Sequence, residues 1–288
     1  MCGLRTKEWR IRRKELDLSQ HGIIVGILNV TPDSFSDGGQ YQNTDLAMRH
    51  CFELIEEGAE ILDIGGESTR PGAQPVLSEE ELRRVLPVVR ELRRQSDILI
   101  SIDTSKAEVA RHCLDEGADI INDVTALRGD PEMGRVVAES KAGLVLMHMH
   151  GSPPTMQDQP EYQNVVEEVL DFLRRQAHLA VSYGIDPMSI VLDPGIGFGK
   201  TIAHNVALLA ALPLFVEEPH PILIGVSRKS FLSTLSGVPS IEGRFWPGIA
   251  LTSFCRERGA QLFRVHEPRP HKQALRMTEA ILYASPHG

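Results

Sequence analysis

The chain has 288 residues, 42% hydrophobic and 24% charged, with a formal net charge of −9. This is room for one large domain or two small ones, with the mix of an ordinary globular protein. The acidic balance argues against a nucleic-acid surface, and no run approaches the ~18 apolar residues that cross a bilayer, so neither nucleic acid nor membrane is expected as a partner.

The first ten residues carry neither an apolar core nor a small-residue cleavage site. Cys2, Cys51, Cys113 and Cys255 lie far apart and form no pair motif, which fits a reducing cytoplasm. Residues 1–20 are of mixed charge and read as an N-terminal extension, either a strand or hairpin closing the bottom of the fold or a loose tail. Residues 21–288 read as one domain, since no Pro-, Gly- or Ser-rich linker interrupts them.

From Ile23 onward one pattern repeats. A β-branched apolar run ends in a polar residue, and an amphipathic helical stretch follows. The runs are Ile23 to Leu28, Ile61 to Ile64, Ile98 to Ile102, Ile120 to Ile121, Leu144 to Met147, Ile190 to Leu192, Ile222 to Val226 and Leu262 to Val265. Helices are predicted near Asp45–Glu57, Ser78–Arg94, Lys106–Glu116, Asp130–Glu139, Tyr162–Ser182, His204–Leu212, Ile241–Arg258 and His271–Tyr283. Their apolar residues recur at spacings of three and four, as in Leu82, Val85, Leu86 and Val89. Gly58-Ala59, Gly117-Ala118 and Gly259-Ala260 each close a helix just before a strand. Eight such units over about 245 residues predict an α/β single-domain (β/α)8 TIM barrel, typically about 250 residues long.

In a barrel the residues just past each strand face one mouth. Here they are Asn29; Asp63, Glu67, Thr69 and Arg70; Asp103; Asn122 and Asp123; Met147 and His148; Asp193; Ser227, Arg228 and Lys229; and Arg264 and His266. The short acceptors Asp103, Asn122 and Asp193 suit a flat heterocycle whose amidine edge donates two parallel hydrogen bonds to a carboxylate. Lys229, Arg264 and His266 come from the last two strands, where barrels most often hold phosphate. Asn29 offers an uncharged oxygen suited to Mg²⁺, which keeps most of its waters and leans on substrate phosphates. The first loop, Asn29 to Gly39, is long, polar and glycine-ended, as a water-excluding lid would be, and Gly65 to Pro75 is similar in build. The glycine-rich turn Asp193-Pro-Gly-Ile-Gly-Phe-Gly-Lys200 follows the sixth strand and lets backbone approach a ligand.

Read together, these pieces resemble the dihydropteroate synthase family from about Gly22 to His266. The carrying motifs are Leu28-Asn-Val-Thr-Pro-Asp-Ser-Phe-Ser-Asp-Gly-Gly39, Asp63-Ile-Gly-Gly-Glu-Ser-Thr-Arg-Pro-Gly72, Ser101-Ile-Asp-Thr104, Ile121-Asn-Asp-Val124, Met147-His-Met-His-Gly151, Asp193 to Thr201, Ser227-Arg-Lys-Ser-Phe231 and Arg264-Val-His266. The resemblance implies a pterin-binding TIM barrel that condenses 6-hydroxymethyl-7,8-dihydropterin diphosphate with 4-aminobenzoate, with Mg²⁺ as cofactor, as a homodimer. It implies that Asp103, Asn122, Asp193 and Lys229 hold the pterin beside Met147. Asn29 contacts Mg²⁺, Thr69, Arg70, Arg264 and His266 grip the diphosphate, and Val265 is also expected to bind substrate. Asp33, Phe35, Thr69, Pro71, Phe198 and Ser230 form the aminobenzoate pocket. Asp33, Asp193 and Lys229 are the expected catalytic residues. Phe245-Trp246-Pro247 and Glu267 depart from the family pattern and are expected to reshape the seventh helix and the dimer contact. Two alternatives share the ring-binding residues: a pterin-binding methyltransferase barrel, and a non-catalytic pterin-binding paralogue.

Overall fold

A computed structural model describes residues 7–12, 14–31, 40–68, 72–151, 156, 160–240 and 242–284. The chain begins with an antiparallel hairpin, β1 (Glu8–Ile11) and β2 (Lys14–Asp17). The repeating units follow: β3 (Ile23–Asn29) and α1 (Gln40–Glu56), β4 (Ile61–Gly65) and α2 (Ser78–Gln95), β5 (Leu99–Asp103) and α3 (Ala107–Asp115), β6 (Ile120–Asp123) and α4 (Met133–Ser140), β7 (Gly143–Met147) and α5 (Val165–Ser182). Next come β8 (Ile190–Asp193) with α6 (Ile202–Ala210) and α7 (Leu212–Val216), β9 (Leu223–Ile224) with α8 (Ser230–Ser236) and α9 (Phe245–Glu257), and β10 (Leu262–Val265) with α10 (Pro268–Leu282). The eight later strands form one parallel sheet in the order β8-β7-β6-β5-β4-β3-β10-β9. A parallel bridge between Leu192 and Ile222 joins its two ends, giving the single-domain (β/α)8 TIM barrel.

Two helical segments differ from the sequence expectation. The stretch predicted over His204–Leu212 is two helices. Thr201 caps the first, its hydroxyl accepting from the His204 amide. The break falls just before Pro213, whose missing amide and ring do not fit a helix interior. The seventh unit also carries two helices. Phe245-Trp246-Pro247 does not distort α9 but makes its first turn, where proline forfeits no hydrogen bond. The preceding α8 was hidden by its serines at 230, 233 and 236, which read as loop although Phe231 and Leu232 are buried.

Side chains alternate in and out along each strand, so residues two apart share a face. The outward set packs under the helices in one large apolar core that includes Ile24, Leu28, Leu62, Ile64, Ile100 and Ile102. The inward set begins as an apolar floor of Val25, Ile61, Leu99, Ile120, Val145, Val191, Leu223 and Leu262. The hairpin stoppers this floor from below. Trp9 and Ile11 are each 1% exposed and join the floor cluster. The Trp9 indole donates to the Ser189 carbonyl at 3.0 Å. Lys7 Nζ donates to the carbonyls of Val216 (2.7 Å) and His220 (2.8 Å), fastening the hairpin to the barrel wall.

Two residues further along the strands, the interior turns polar. Ile61 is followed by Asp63, Leu99 by Ser101, Ile120 by Asn122, Val191 by Asp193 and Leu262 by Arg264. The register puts Asp63 beside Ser101, and Asp103 beside Asn122. The barrel is therefore greasy at one end and charged at the other. Trp9→Ala should empty the stopper and lower stability by about 3–5 kcal/mol, as large-to-small core changes do, read from urea unfolding of the folded chain.

Candidate active site

At the centre of the polar layer is Asp63, 1% exposed. One of its carboxylate oxygens accepts from the Ser101 hydroxyl at 2.6 Å. The other accepts from Asn122 Nδ2 at 3.0 Å and Arg264 Nε at 2.6 Å. A second arm of the Arg264 guanidinium, Nη2, donates to Asp103 Oδ2 at 2.7 Å. Burial works against the charge on Arg264, but Asp63 and Asp103 outweigh it and raise its pKa. The sequence divides the rim into acceptors on the middle strands and cations on the last two. The structure instead interleaves them, with Arg264 bonded into the acceptor layer.

Above this layer lie the groups left for a ligand. Asp103 is buried, and its Oδ1 has no hydrogen-bond partner among the described residues. Burial raises the Asp103 carboxyl to about 7, with Asp63 adding to the push and Arg264 opposing it. Asp193, 5% exposed, accepts from the Gly195 amide at 2.7 Å. Burial raises it to about 6 against the pull of that amide and of Lys229, Lys200 and Arg264. Lys229 is lowered to about 8 by burial and by Arg264, with Asp193 and Asp103 opposing. Its ammonium sits 4.0 Å above the Phe198 ring, a cation–π seat. Met147 belongs to a small apolar cluster with Val124 and Met149, against which Phe198 packs. Asp103, Asn122, Asp193, Lys229 and Arg264 thus share one charged opening with an apolar wall.

His266 follows β10, and its Nδ1 lies 3.0 Å from the buried Ser227 hydroxyl, which also accepts from the His266 amide at 3.2 Å. Asn29 ends β3, with its side-chain oxygen next to Gly65. Three expected rim residues turn elsewhere. Val265 is one residue past Arg264, and its side chain packs into the outer core. Asp123, one past Asn122, spends its carboxylate on the amides of Thr125 (2.8 Å) and Leu127 (2.7 Å). Arg228 is exposed and pairs with Glu267. Ser230 is exposed at the start of α8. Asp33, Phe35, Thr69, Arg70 and Pro71 lie outside the described residues.

The glycine turn after β8 shows why its composition is required. A Cβ on Gly195 would stand 1.9 Å from the His148 carbonyl oxygen, and φ there is +67°. The turn therefore lies backbone against backbone on the segment after β7. Lys200 braces the same seam. It is 3% exposed, and its ammonium donates to the carbonyls of Gly195 (2.9 Å), Phe198 (3.0 Å) and His148 (3.3 Å), with His148 Nδ1 at 3.0 Å. Sequence reading assigns no role to Lys200, and treats Asp63 and His148 only as members of the rim. Ser101 escapes it altogether, although its place two residues past Leu99 was a usable signal.

The Pterin binding enzyme family matches residues 25–266. The dihydropteroate synthase of Escherichia coli is 44% identical over 269 residues, covering 93% of this chain and 94% of its own. Among solved structures, Xanthomonas albilineans dihydropteroate synthase with 4-aminobenzoic acid superposes with a TM-score of 0.90 at 43% identity, covering 98% of this chain and 100% of that one. The same organism's enzyme in complex with 7,8-dihydropteroate gives 0.87 at 41% identity, covering 96% and 100%. On sequence and fold alike, this chain belongs to the dihydropteroate synthase family of pterin-binding enzymes.

Proposed function

We propose that this chain joins 6-hydroxymethyl-7,8-dihydropterin diphosphate to 4-aminobenzoate, releasing diphosphate and 7,8-dihydropteroate. The observation that carries this reading is the shared opening of Asp103, Asn122 and Asp193 with Lys229 and Arg264. Carboxylates on buried strand ends accept from the donor edge of a pterin, and the apolar wall of Met147 takes its face. The cations beside them, with His266 held by Ser227, suit a polyanionic tail. A methyltransferase barrel or a binding-only paralogue would need the ring clamp without this cation set.

The chemistry asks for charge stabilisation rather than a strong base. The bond from the pterin methylene to the diphosphate oxygen breaks, and the oxygen keeps the electron pair. The electron-rich dihydropterin shares the positive charge left on carbon, and the ionised Asp193 facing the ring steadies it. Lys229 and Arg264 supply positive charge where negative charge departs. The neutral arylamine nitrogen then bonds to the methylene and sheds a proton; an anilinium is acidic enough to lose it without a poised base. Phe198, under Lys229, gives the aminobenzoate ring a flat neighbour. The pathway is dissociative, with no covalent enzyme intermediate.

Asn29 fits a Mg²⁺ role: a single neutral oxygen at a strand end suits an ion that keeps its waters and binds mainly through phosphate. When bound there, Mg²⁺ would neutralise charge on the leaving diphosphate. A homodimer is supported by α9 and α10, which pack on each other yet expose Trp246 (73%), Met277 (66%) and Ile281 (68%). No helix among the described residues is long and apolar enough to cross a membrane. Cys51, Cys113 and Cys255 are buried free thiols, each pushed up to about 12 by burial, which supports a reducing cytoplasmic setting.

Diphosphate release on mixing both substrates with Mg²⁺ is the direct test, and it should stop on chelation. Lys229→Ala should cut the rate at least 100-fold; an undiminished rate removes the lysine from the scheme. The acid–base balance fixes a pH profile. A carboxyl raised to about 6 is neutral below that pH and ionised above it, whereas an ammonium lowered to about 8 is charged below and neutral above. For the pterin substrate, kcat/KM should therefore rise through pH 6–7 and fall above about 8. A profile flat from pH 5 to 9 would exclude these groups as the controlling ones. Trp246→Arg should shift the sedimentation coefficient toward monomer without altering the mouth.

A further inference from the structure

Lys200 is the buried charge that the mechanism above does not use. Its ammonium has four acceptors within reach: the carbonyls of Gly195, Phe198 and His148, and His148 Nδ1. Three of the four are carbonyls and can only accept; the ammonium form offers one N–H to each, while burial lowers the lysine's pKa to about 7. His148 is compatible with accepting. Burial and the charges of Lys200 and Arg128 press its pKa down to about 2, and its ring is packed edge-on against Phe172 with centroids 4.8 Å apart. The carbonyls come from both sides of a seam, two on the turn after β8 and one past the end of β7.

The turn it braces is the one that presents two site residues. At one end, the Gly195 amide donates to Asp193. At the other, the ring of Phe198, whose carbonyl Lys200 holds, lies beneath the Lys229 ammonium. The same ammonium adds positive charge near Asp193, alongside Lys229 and Arg264. Facing Lys200 itself are Asp193, Lys229 and His148, with Arg128 and His150 beyond the histidine.

We propose that Lys200 is a positioning residue whose buried ammonium clamps the Gly195–Phe198 turn to the segment after β7, setting Asp193 for the pterin and Phe198 for the arylamine. This role rests on the synthase reading for the identity of the two ligands. It requires Lys200 to act without touching either of them.

Lys200→Met removes the clamp and the charge; Lys200→Gln removes the charge and one N–H donor but keeps two. For Lys200→Met, KM for 4-aminobenzoate should rise about tenfold or more, and calorimetric affinity for the pterin diphosphate should fall. In both variants the acid limb of kcat/KM should move to higher pH by about one unit, because Asp193 takes up a proton more readily once a nearby cation is gone. Lys200→Gln should show the smaller change in KM. Should Lys200→Met fail to fold, the limb shift in Lys200→Gln decides. A lysine that merely stabilises the fold would lower the thermal midpoint and leave both KM values and the acid limb of the folded enzyme unmoved, and that result overturns the proposal. Turnover by the unaltered chain separates the two ideas: no diphosphate release there sinks the synthase reading, whereas normal turnover with unshifted variants sinks the role of Lys200 alone.

Discussion

The site depends on a buried carboxylate that never needs to meet a substrate. Asp63 sits where the apolar floor of the barrel ends, and it is surrounded by Ser101, Asn122 and Arg264. A charge in that position is costly unless it is paired and hydrogen-bonded, and its partners leave it few unused lone pairs. In return, each partner is held in one rotamer. Asn122 and Arg264 are thereby aimed by strands on different sides of the barrel toward the same small volume. Arg264 then carries the order one layer up, because its free arm fixes Asp103.

This explains how a single opening can host opposite demands. On the proposed reading, the carboxylates for a ring edge and the cations for a leaving anion must be near one another, yet they must not collapse into mutual neutralisation. Arg264 alone is committed to the carboxylates. Lys229 is drawn aside onto the Phe198 ring, where a π-face holds it without quenching its charge. Asp103 keeps one oxygen unspent among the described residues. Burial, which lifts both carboxyls and lowers the lysine, brings all three groups to within about one pH unit of neutrality, so small changes in surroundings decide their state.

The barrel was legible because its signals are local: eight β-branched runs, helical spacing between them, and glycine stops before strands. Most of the charged residues gathered at the mouth were legible as polar residues at strand ends. The errors come from treating "at the strand end" as one category. Strands alternate, so Asn122 and Asp123, or Arg264 and Val265, are neighbours in sequence and point to opposite sides of the wall. Counting in twos from the floor residues would have separated them and drawn in Ser101. Lys200 was illegible for a different reason: its partners are carbonyls from two loops, and nothing in residue identity announces a backbone acceptor. The split of the seventh helix was hidden by serine-rich composition, which tertiary burial of Phe231 and Leu232 overrides.

The seam between the β7 and β8 loops also limits how this enzyme can change. At Gly195 no side chain fits against the His148 carbonyl, so that stretch of backbone is closed to variation from within. A lineage under pressure to admit a different arylamine, or to refuse one, has to work at the margins. On the proposed reading, Phe198 and the exposed Ser230 are two such margins, where a new side chain displaces solvent or ring surface instead of main chain. If the proposed reading holds, the rigid seam leaves ring recognition fixed while confining adaptability to the rim around the second substrate.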